Sequence, residues 1–413
     1  MSSSINPPSP ARHSGIMPSC EAAVECIAVD CGELPAAAEV TRFRGANGAI
    51  ECHIAVRLTG HSETDPLACL TRAYQRALDA AKIPAETALF RRVFCSDIVN
   101  QSPALDDPAC GLAGCGSPCA LSRIGQSPLP AGKFALWAYH VHDPANPPVK
   151  SADSFAVSCQ RGALGHHWST GIVHCPGGGA EQQTRRILEA QDAWLRKAGM
   201  NMADHVIRTW WFVQNIDADY QGLVEARRDF FTTHGLTAET HYIASTGIAG
   251  THPDTAARVS LDAYSISGLR ADQLEYLSAP DFLCPTHDYG VTFERAAAVH
   301  FADRSHVWIS GTASIDRAGR IVHEGDVIRQ LDRTLENIEA LLAQAAANLG
   351  DLAIMLVYLR DPADGALVEH ALRECFGTTP FILLHAPVCR PGWLIEIEGI
   401  AIISANRPEF PGF

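Results

Sequence analysis

The chain has 413 residues, 47% of them hydrophobic and 19% charged, which predicts two or three folded units and excludes wholesale disorder. A formal charge of −14 argues against a nucleic-acid-binding surface, and no apolar run approaches the ~20 residues that span a bilayer, so no nucleic-acid or membrane partner is expected. Fourteen scattered cysteines read as the reduced thiols of a cytoplasmic protein; the tightest set, Cys110, Cys115 and Cys119, lacks the spacing of a structural zinc site.

Residues 1–18 are polar and rich in Pro and Ser, without the apolar core of a signal peptide, and read as a loose tail. An internal repeat follows. Three stretches, Ala68–Ile98, Gln182–Ile216 and Arg329–Asp361, each run from a long amphipathic helix through a short turn into a strand. In the third, Leu331, Leu335, Ile338, Leu341 and Leu342 recur at helical spacing. Aromatic and β-branched enrichment marks VFCSDI, TWWFV and MLVYL as strands. Gly177-Gly178-Gly179, ahead of the second helix, lacks the Lys-Ser/Thr of a phosphate-binding loop. Each copy closes on a similar strand: Gly132–Val141, Ala257–Ile266 and Gly392–Ala401. The pattern predicts an α+β fold of three tandem modules, residues 19–150, 151–270 and 271–413. Each is a mixed sheet covered by helices, and the three close around a pseudo-threefold axis. The chain is expected to be a monomer of this kind or a small homo-oligomer.

Aligning the closing strands puts Glu396 opposite Leu261 and Leu136, and Glu398 opposite Ala263 and Ala138. Acids are therefore expected in the last copy alone, both on one face of the strand. A carboxylate on an apolar face is costly unless paired or protonated, and burial raises its pKa toward that of a proton donor near neutral pH. Cys389, seven residues earlier, is either a small buried hydrophobe or a thiol that excludes water. Arg227 and Arg228 share one helical turn, so one of them faces outward. Arg208 and Arg390 fit either an anion clamp or an interface ion pair, and Tyr220 either a hydrogen-bond donor or a packed aromatic. The turns Ser245-Thr246-Gly247 and Ser310-Gly311-Thr312 allow close backbone approach and offer hydroxyls. No His, Cys and carboxylate set has ligand spacing, so neither metal nor cofactor is expected.

Val307–Ala346, followed by YLRD and IEIEGIA, resembles the Rid family of enamine/imine deaminases, homotrimers with ligand sites between subunits. His205–Phe231, Ala244–Gly250 and Pro387–Gly399 together resemble the chorismatases, chorismate-cleaving enzymes that carry Rid-like (chorismate-mutase-like) modules in one longer chain. The resemblance implies a substrate with two carboxylates, chorismate or a close analogue, and Glu396 as the acid that protonates its enolpyruvyl methylene. It implies Arg227 as the inward arginine, and Arg208, Tyr220, Thr246, Ser310, Gly311, Arg390 and Glu398 as further binding residues. A cysteine at position 389 resembles the branch that forms 3-hydroxybenzoate. Two positions depart from the patterns. The arginine that Rid deaminases carry fifteen residues before the motif glutamate reads Phe381, and the second copy's Arg-x-Trp-Asn-Tyr reads Arg208-Thr209-Trp210-Trp211-Phe212. Competing readings are a hydrolytic chorismatase giving a dihydroxycyclohexadiene acid, a Rid-type deaminase, and a non-catalytic scaffold that binds small acids.

Overall fold

The computed structural model describes residues 23–60, 65–107, 110–112, 116–175 and 177–413; the expected tail over residues 1–18 lies outside them, as does Cys115. The chain builds three sheets in succession. The first stretch supplies β1 (Val24–Val29), β2 (Ala36–Arg44), β3 (Ile50–Leu58), α1 (Pro66–Ala81), β4 (Ala88–Cys95), α2 (Ile98–Asp106), β5 (Ala120–Gly125), β6 (Ser127–Pro128) and β7 (Phe134–His142). The second supplies β8 (Val149–Ala152), β9 (Ala156–Arg161), β10 (Leu164–Ile172), α3 (Ala180–Lys197), α4 (Met202–His205), β11 (Val206–Val213), α5 (Ile216–Thr233), β12 (Ala244–Ala249) and β13 (Val259–Ser267). The third supplies β14 (Leu274–Leu277), β15 (Ala296–His300), β16 (Arg304–Ala313), α6 (Val327–Gln344), β17 (Leu352–Leu359), α7 (Gly365–Phe376), β18 (Phe381–His385) and β19 (Ile395–Ser404).

The sheet orders are β1-β2-β3-β7-β4-β5, β12-β11-β13-β10-β9-β8 and β14-β15-β16-β19-β17-β18-β6. Each sheet holds one parallel pair, β4 with β5, β11 with β12 and β17 with β18, bridged by a crossover that carries α2, α5 or α7. The long helices cover one face. Asp65 caps α1 through the Leu67 and Ala68 N–H groups, Pro66 occupies its first turn, and Leu70, Ala73, Tyr74, Ala77 and Leu78 are buried. In α6, capped by Asp326, the buried stripe includes Leu331, Leu335, Ile338, Leu341 and Leu342. The opposite sheet faces meet one another in an aromatic centre, where Phe90 stacks on Trp168 at 4.6 Å and Trp168 on Tyr264 at 4.4 Å. Strand β6, from the first stretch, pairs with β18 and so ties the first stretch to the third sheet. The described cysteines are free, and no described helix is long and apolar enough to cross a membrane.

The strand register overturns the alignment of the closing strands. β4, β11 and β17 share one irregularity, which makes Phe90, Arg208 and Ile354 equivalent. Two residues on, Arg92 pairs with Trp137, Trp210 with Asp262, and Leu356 with Glu398. Glu398 therefore matches Asp262 and Trp137, and Glu396 matches Ser260 and Ala135. Leu261, Leu136, Ala263 and Ala138 are one position out of step. A one-residue slip moves a side chain to the other face of a sheet, and Leu136 and Leu261 do pack under the helices. The expectation of acids in the last copy alone fails with it, because Asp262 holds the Glu398 position in the second sheet. At the position of Glu396, the other copies carry no acid.

Candidate active site

A cleft opens on the seam between the second and third sheets. The second sheet contributes Tyr220 and Arg227 from α5 and Ser245, Thr246 and Gly247 from β12; the third contributes Arg295, Gly311, Glu396 and the loop residues Cys389, Arg390 and Trp393.

Glu396 is 5% exposed, near the start of β19. Burial is the main cause that lifts its pKa to about 8; the Glu398 carboxylate adds to the rise, while Arg208 and Arg295 oppose it. The carboxyl packs where no side chain intervenes. A Cβ on Gly311 would meet Glu396 Oε1, so the carboxyl occupies space that glycine in the β16 bulge leaves open. The Gly311 N–H donates to Thr246 Oγ1 at 2.9 Å, which fixes this wall across the seam.

Glu398 stands behind the cleft, buried between the sheets. It accepts hydrogen bonds from Arg208, Thr246 Oγ1, Trp210 Nε1 at 3.0 Å and Tyr358 Oη at 2.8 Å. Burial and that negative charge together hold the Tyr358 phenol well above its ordinary range, so it remains a donor. Arg208 also lies over the Trp210 ring at 5.0 Å. The aromatic at position 210 thus donates to the buried acid, while Trp211 packs under the helices.

The expected binding residues divide into two groups. Arg227, Tyr220, Thr246, Gly311, Arg390, Cys389 and Glu396 line the cleft, whereas Arg208, Ser310 and Glu398 do not reach it. Ser310 is a staple: its hydroxyl accepts the Ser245 N–H at 2.9 Å and donates to the Glu294 carbonyl at 2.6 Å. Arg227 is buried and Arg228 exposed; Arg227 donates from Nε to Thr292 Oγ1 at 3.1 Å and from Nη1 to Ser245 Oγ at 3.4 Å. Arg390 sits over the Trp393 ring at 4.8 Å. Half-buried Cys389 is hydrogen-bonded with Tyr220. Burial, reinforced by Glu396, pushes its thiol up to about 12 and keeps it neutral.

Phe381 is not at the cleft. It lies in the core of the third sheet with Arg373 over its ring at 3.9 Å. The register pairs Met355 with Phe381 and Thr209 with Ser245, so the copy of this strand position that faces the cleft is Ser245. Arg227 brings a guanidinium to that serine from the helix. Arg295, which precedes β15, is a buried cleft residue that sequence reasoning missed. A lone arginine before an apolar run carries no signal until the strand pairing is known. Among the described residues, no group of three or more His, Cys, Asp and Glu is placed to hold a metal ion. The cleft unites a neutral carboxylic acid, a neutral thiol and several guanidiniums, a combination that can protonate a bound anion.

Residues 296–403 match the family model described as Endoribonuclease L-PSP. A 3-hydroxybenzoate synthase of Streptomyces hygroscopicus is 28% identical over 223 residues, 48% of this chain and 63% of that protein. A chorismatase of the same organism is 27% identical over 209 residues, 47% of this chain and 60% of that protein. The matches thus span less than two thirds of the length of these relatives. A RutC family protein of Pyrococcus abyssi is 37% identical over 98 residues, 23% of this chain and 76% of that protein. A crystal structure of a chorismatase superposes with a TM-score of 0.58 at 20% identity, covering 76% of this chain and 93% of that one, a likeness of fold.

Proposed function

The chain belongs to the chorismatase family, and from that premise we propose that it cleaves chorismate to pyruvate and 3-hydroxybenzoate, with Glu396 as the general acid. The observation that carries the reading is the buried, proton-retaining carboxyl of Glu396 at the wall of a cleft lined by arginines.

An enol ether resists cleavage until its terminal methylene carbon takes a proton. Glu396 delivers that proton, and positive charge develops on the carbon that bears the ether oxygen. The bond between ring carbon 3 and that oxygen then breaks, and pyruvate leaves with the oxygen as its keto group. The oxygen of the 4-hydroxyl bonds to carbon 3 as its proton returns to Glu396, which gives a 3,4-epoxide. The bond between carbon 4 and that oxygen then opens, the hydrogen on carbon 3 shifts to carbon 4, and one of the two hydrogens there passes as a proton to the oxygen, leaving the aromatic ring of 3-hydroxybenzoate. Atoms balance without water. A water at carbon 3 would instead give the dihydroxycyclohexadiene acid. Cys389, neutral and lodged against Tyr220 at the cleft wall, occupies space that such a water would need. Arg227 and its neighbours hold the carboxylates. Ser245 at the cleft position of the deaminase arginine disfavours the deaminase reading.

The experiment is incubation of the purified chain with chorismate, with an assay for pyruvate and chromatography of the ring product. Absence of pyruvate rejects the reading; a diene in place of 3-hydroxybenzoate rejects the product assignment.

A further inference from the structure

A second cavity, of about 420 Å3, lies where the segments that follow β5, β12 and β18 converge. Gly125 and Thr251 exchange backbone hydrogen bonds there at 2.8 and 3.2 Å, and the Ala249 N–H donates to the Pro387 carbonyl at 3.1 Å. Ser96, Asp97, Gln214, Asn215, Asp217 and Thr251 are among its lining residues, so it is polar and roomy enough to hold water. Three segments line both this cavity and the catalytic cleft. On β12, Gly247 faces the cleft and Ala249 the cavity; after β18, Cys389 lines the cleft and Pro387 the cavity; on α5 the pair is Tyr220 and Ile216. Two residues along a strand advance about 6.6 Å, and one helical turn about 5.4 Å. Ile248 bridges Val388 in antiparallel fashion, so the strand and the loop make the passage from cleft to cavity side by side. The two spaces are neighbours.

Tyr220 stands at their boundary. Its ring covers Gly247, where a Cβ would meet Tyr220 Cε2 at 3.0 Å, and its side chain is hydrogen-bonded with Cys389. Arg360 braces the surround: Nη1 donates to the Val388 carbonyl at 2.7 Å, and Nη2 to the two Asp217 carboxylate oxygens at 2.8 and 2.7 Å. We propose that the Tyr220 ring is the partition that keeps water of the second cavity from carbon 3 of the substrate, and so decides the ring product. The proposal rests on the chorismatase reading. Substrate in the cleft covers its mouth, and the cavity behind Tyr220 is then the source of water nearest the ring. With the partition open, a water oxygen bonds to carbon 3 as pyruvate leaves. One of its protons returns to Glu396, which gave its own to the methylene, and the other stays on the new hydroxyl of the diene. With the partition closed, the 4-hydroxyl is the nucleophile within reach.

The test uses the full chain, chromatography of the ring product formed from chorismate, and peptide mapping of Cys389 alkylation by iodoacetamide. Tyr220→Ala is expected to make the diene the major ring product and to speed alkylation of Cys389. Tyr220→Phe keeps the ring and is expected to keep 3-hydroxybenzoate as the product, whatever its rate. Ala249→Phe, which fills the cavity side, is expected to reverse both effects of Tyr220→Ala. Tyr220→Leu, a milder truncation, carries the same expectations where alanine fails to fold. An unchanged product ratio in the folded truncation overturns the proposal. So does a gain of diene that Ala249→Phe leaves in place, because the water then enters by the mouth of the cleft. Alkylation separates the partition from the reaction. A wild type that releases no pyruvate rejects the chorismatase reading, yet faster Cys389 alkylation on truncation, reversed by Ala249→Phe, still supports the partition; unchanged alkylation rejects it.

Discussion

At the scale of the residue, Glu396 and Cys389 divide the proposed chemistry. Glu396→Gln keeps the shape of the side chain and removes the proton, so pyruvate release is expected to fall about 10²–10⁴-fold in a stopped assay. The pH profile carries the sign of the shift. A carboxyl whose pKa is raised to about 8 is protonated below that value, so kcat is expected to hold through neutrality and decline as pH climbs past about 8. A rate that falls instead on acidification below pH 7 would assign Glu396 the role of a base. Cys389→Ala opens space beside Tyr220, and part of the flux is expected to pass to the hydrolytic diene, read as a changed product ratio by chromatography. An unchanged ratio returns Cys389 to packing. The acid was legible in the sequence because a carboxylate in an apolar strand is an anomaly that demands a cause. Its environment was less legible. Arg295 and Ser245 acquire meaning only through pairings between distant strands, and no periodicity announces those.

At the scale of the element, the helices were readable and the register was not. The stripe of α6 repeats at helical spacing over five residues, Leu331 to Leu342, and each of them is buried. The closing strands are all apolar enough to face either way, and the shared irregularity in β4, β11 and β17 shifts the pairing by one residue without a mark in the sequence pattern. The consequence of the true register is the pairing of β11 with β19 across the seam through Arg208 and Glu398, both almost fully buried. Removal of one partner strands a charge without solvent, so Arg208→Met is expected to cost about 3–5 kcal/mol, measured by denaturant unfolding. The double variant Arg208→Met with Glu398→Gln is expected to recover part of that loss. A single variant within 0.5 kcal/mol of wild type, roughly the scatter of a surface substitution, would show the pair to be inessential.

At the scale of the whole molecule, three similar seams perform different tasks. Between the first and second sheets, Asp262 pairs with Arg92 at 2.8 Å and accepts the Gly171 N–H at 2.7 Å, and Ser260 stands where a proton donor would be needed. Between the first and third sheets, Glu51 pairs with Arg304 and accepts from Tyr139, and burial holds His53 down to about 3. Each of these seams holds its own buried ion pair. Asp262→Asn is therefore expected to lower stability by about 3 kcal/mol or more while pyruvate release per folded molecule stays within about twofold. A loss of turnover on the scale of Glu396→Gln would place catalysis in more than one seam.

Strand order has a consequence for the newborn chain. β7, β13 and β19 are each the last strand of their sheet's own stretch to be synthesised, and each is inserted between two strands made earlier. Until it arrives, its sheet is two separate halves with bare inner edges. In the third sheet, β15 and β16 wait for β19 while about 90 residues are added, on the order of 5–20 s at ordinary translation rates. The strand that ends the wait is the one that carries Glu396. The ribosome therefore never presents an assembled cleft with an exposed acid, and the interval before closure is when the growing chain depends most on protection from its neighbours.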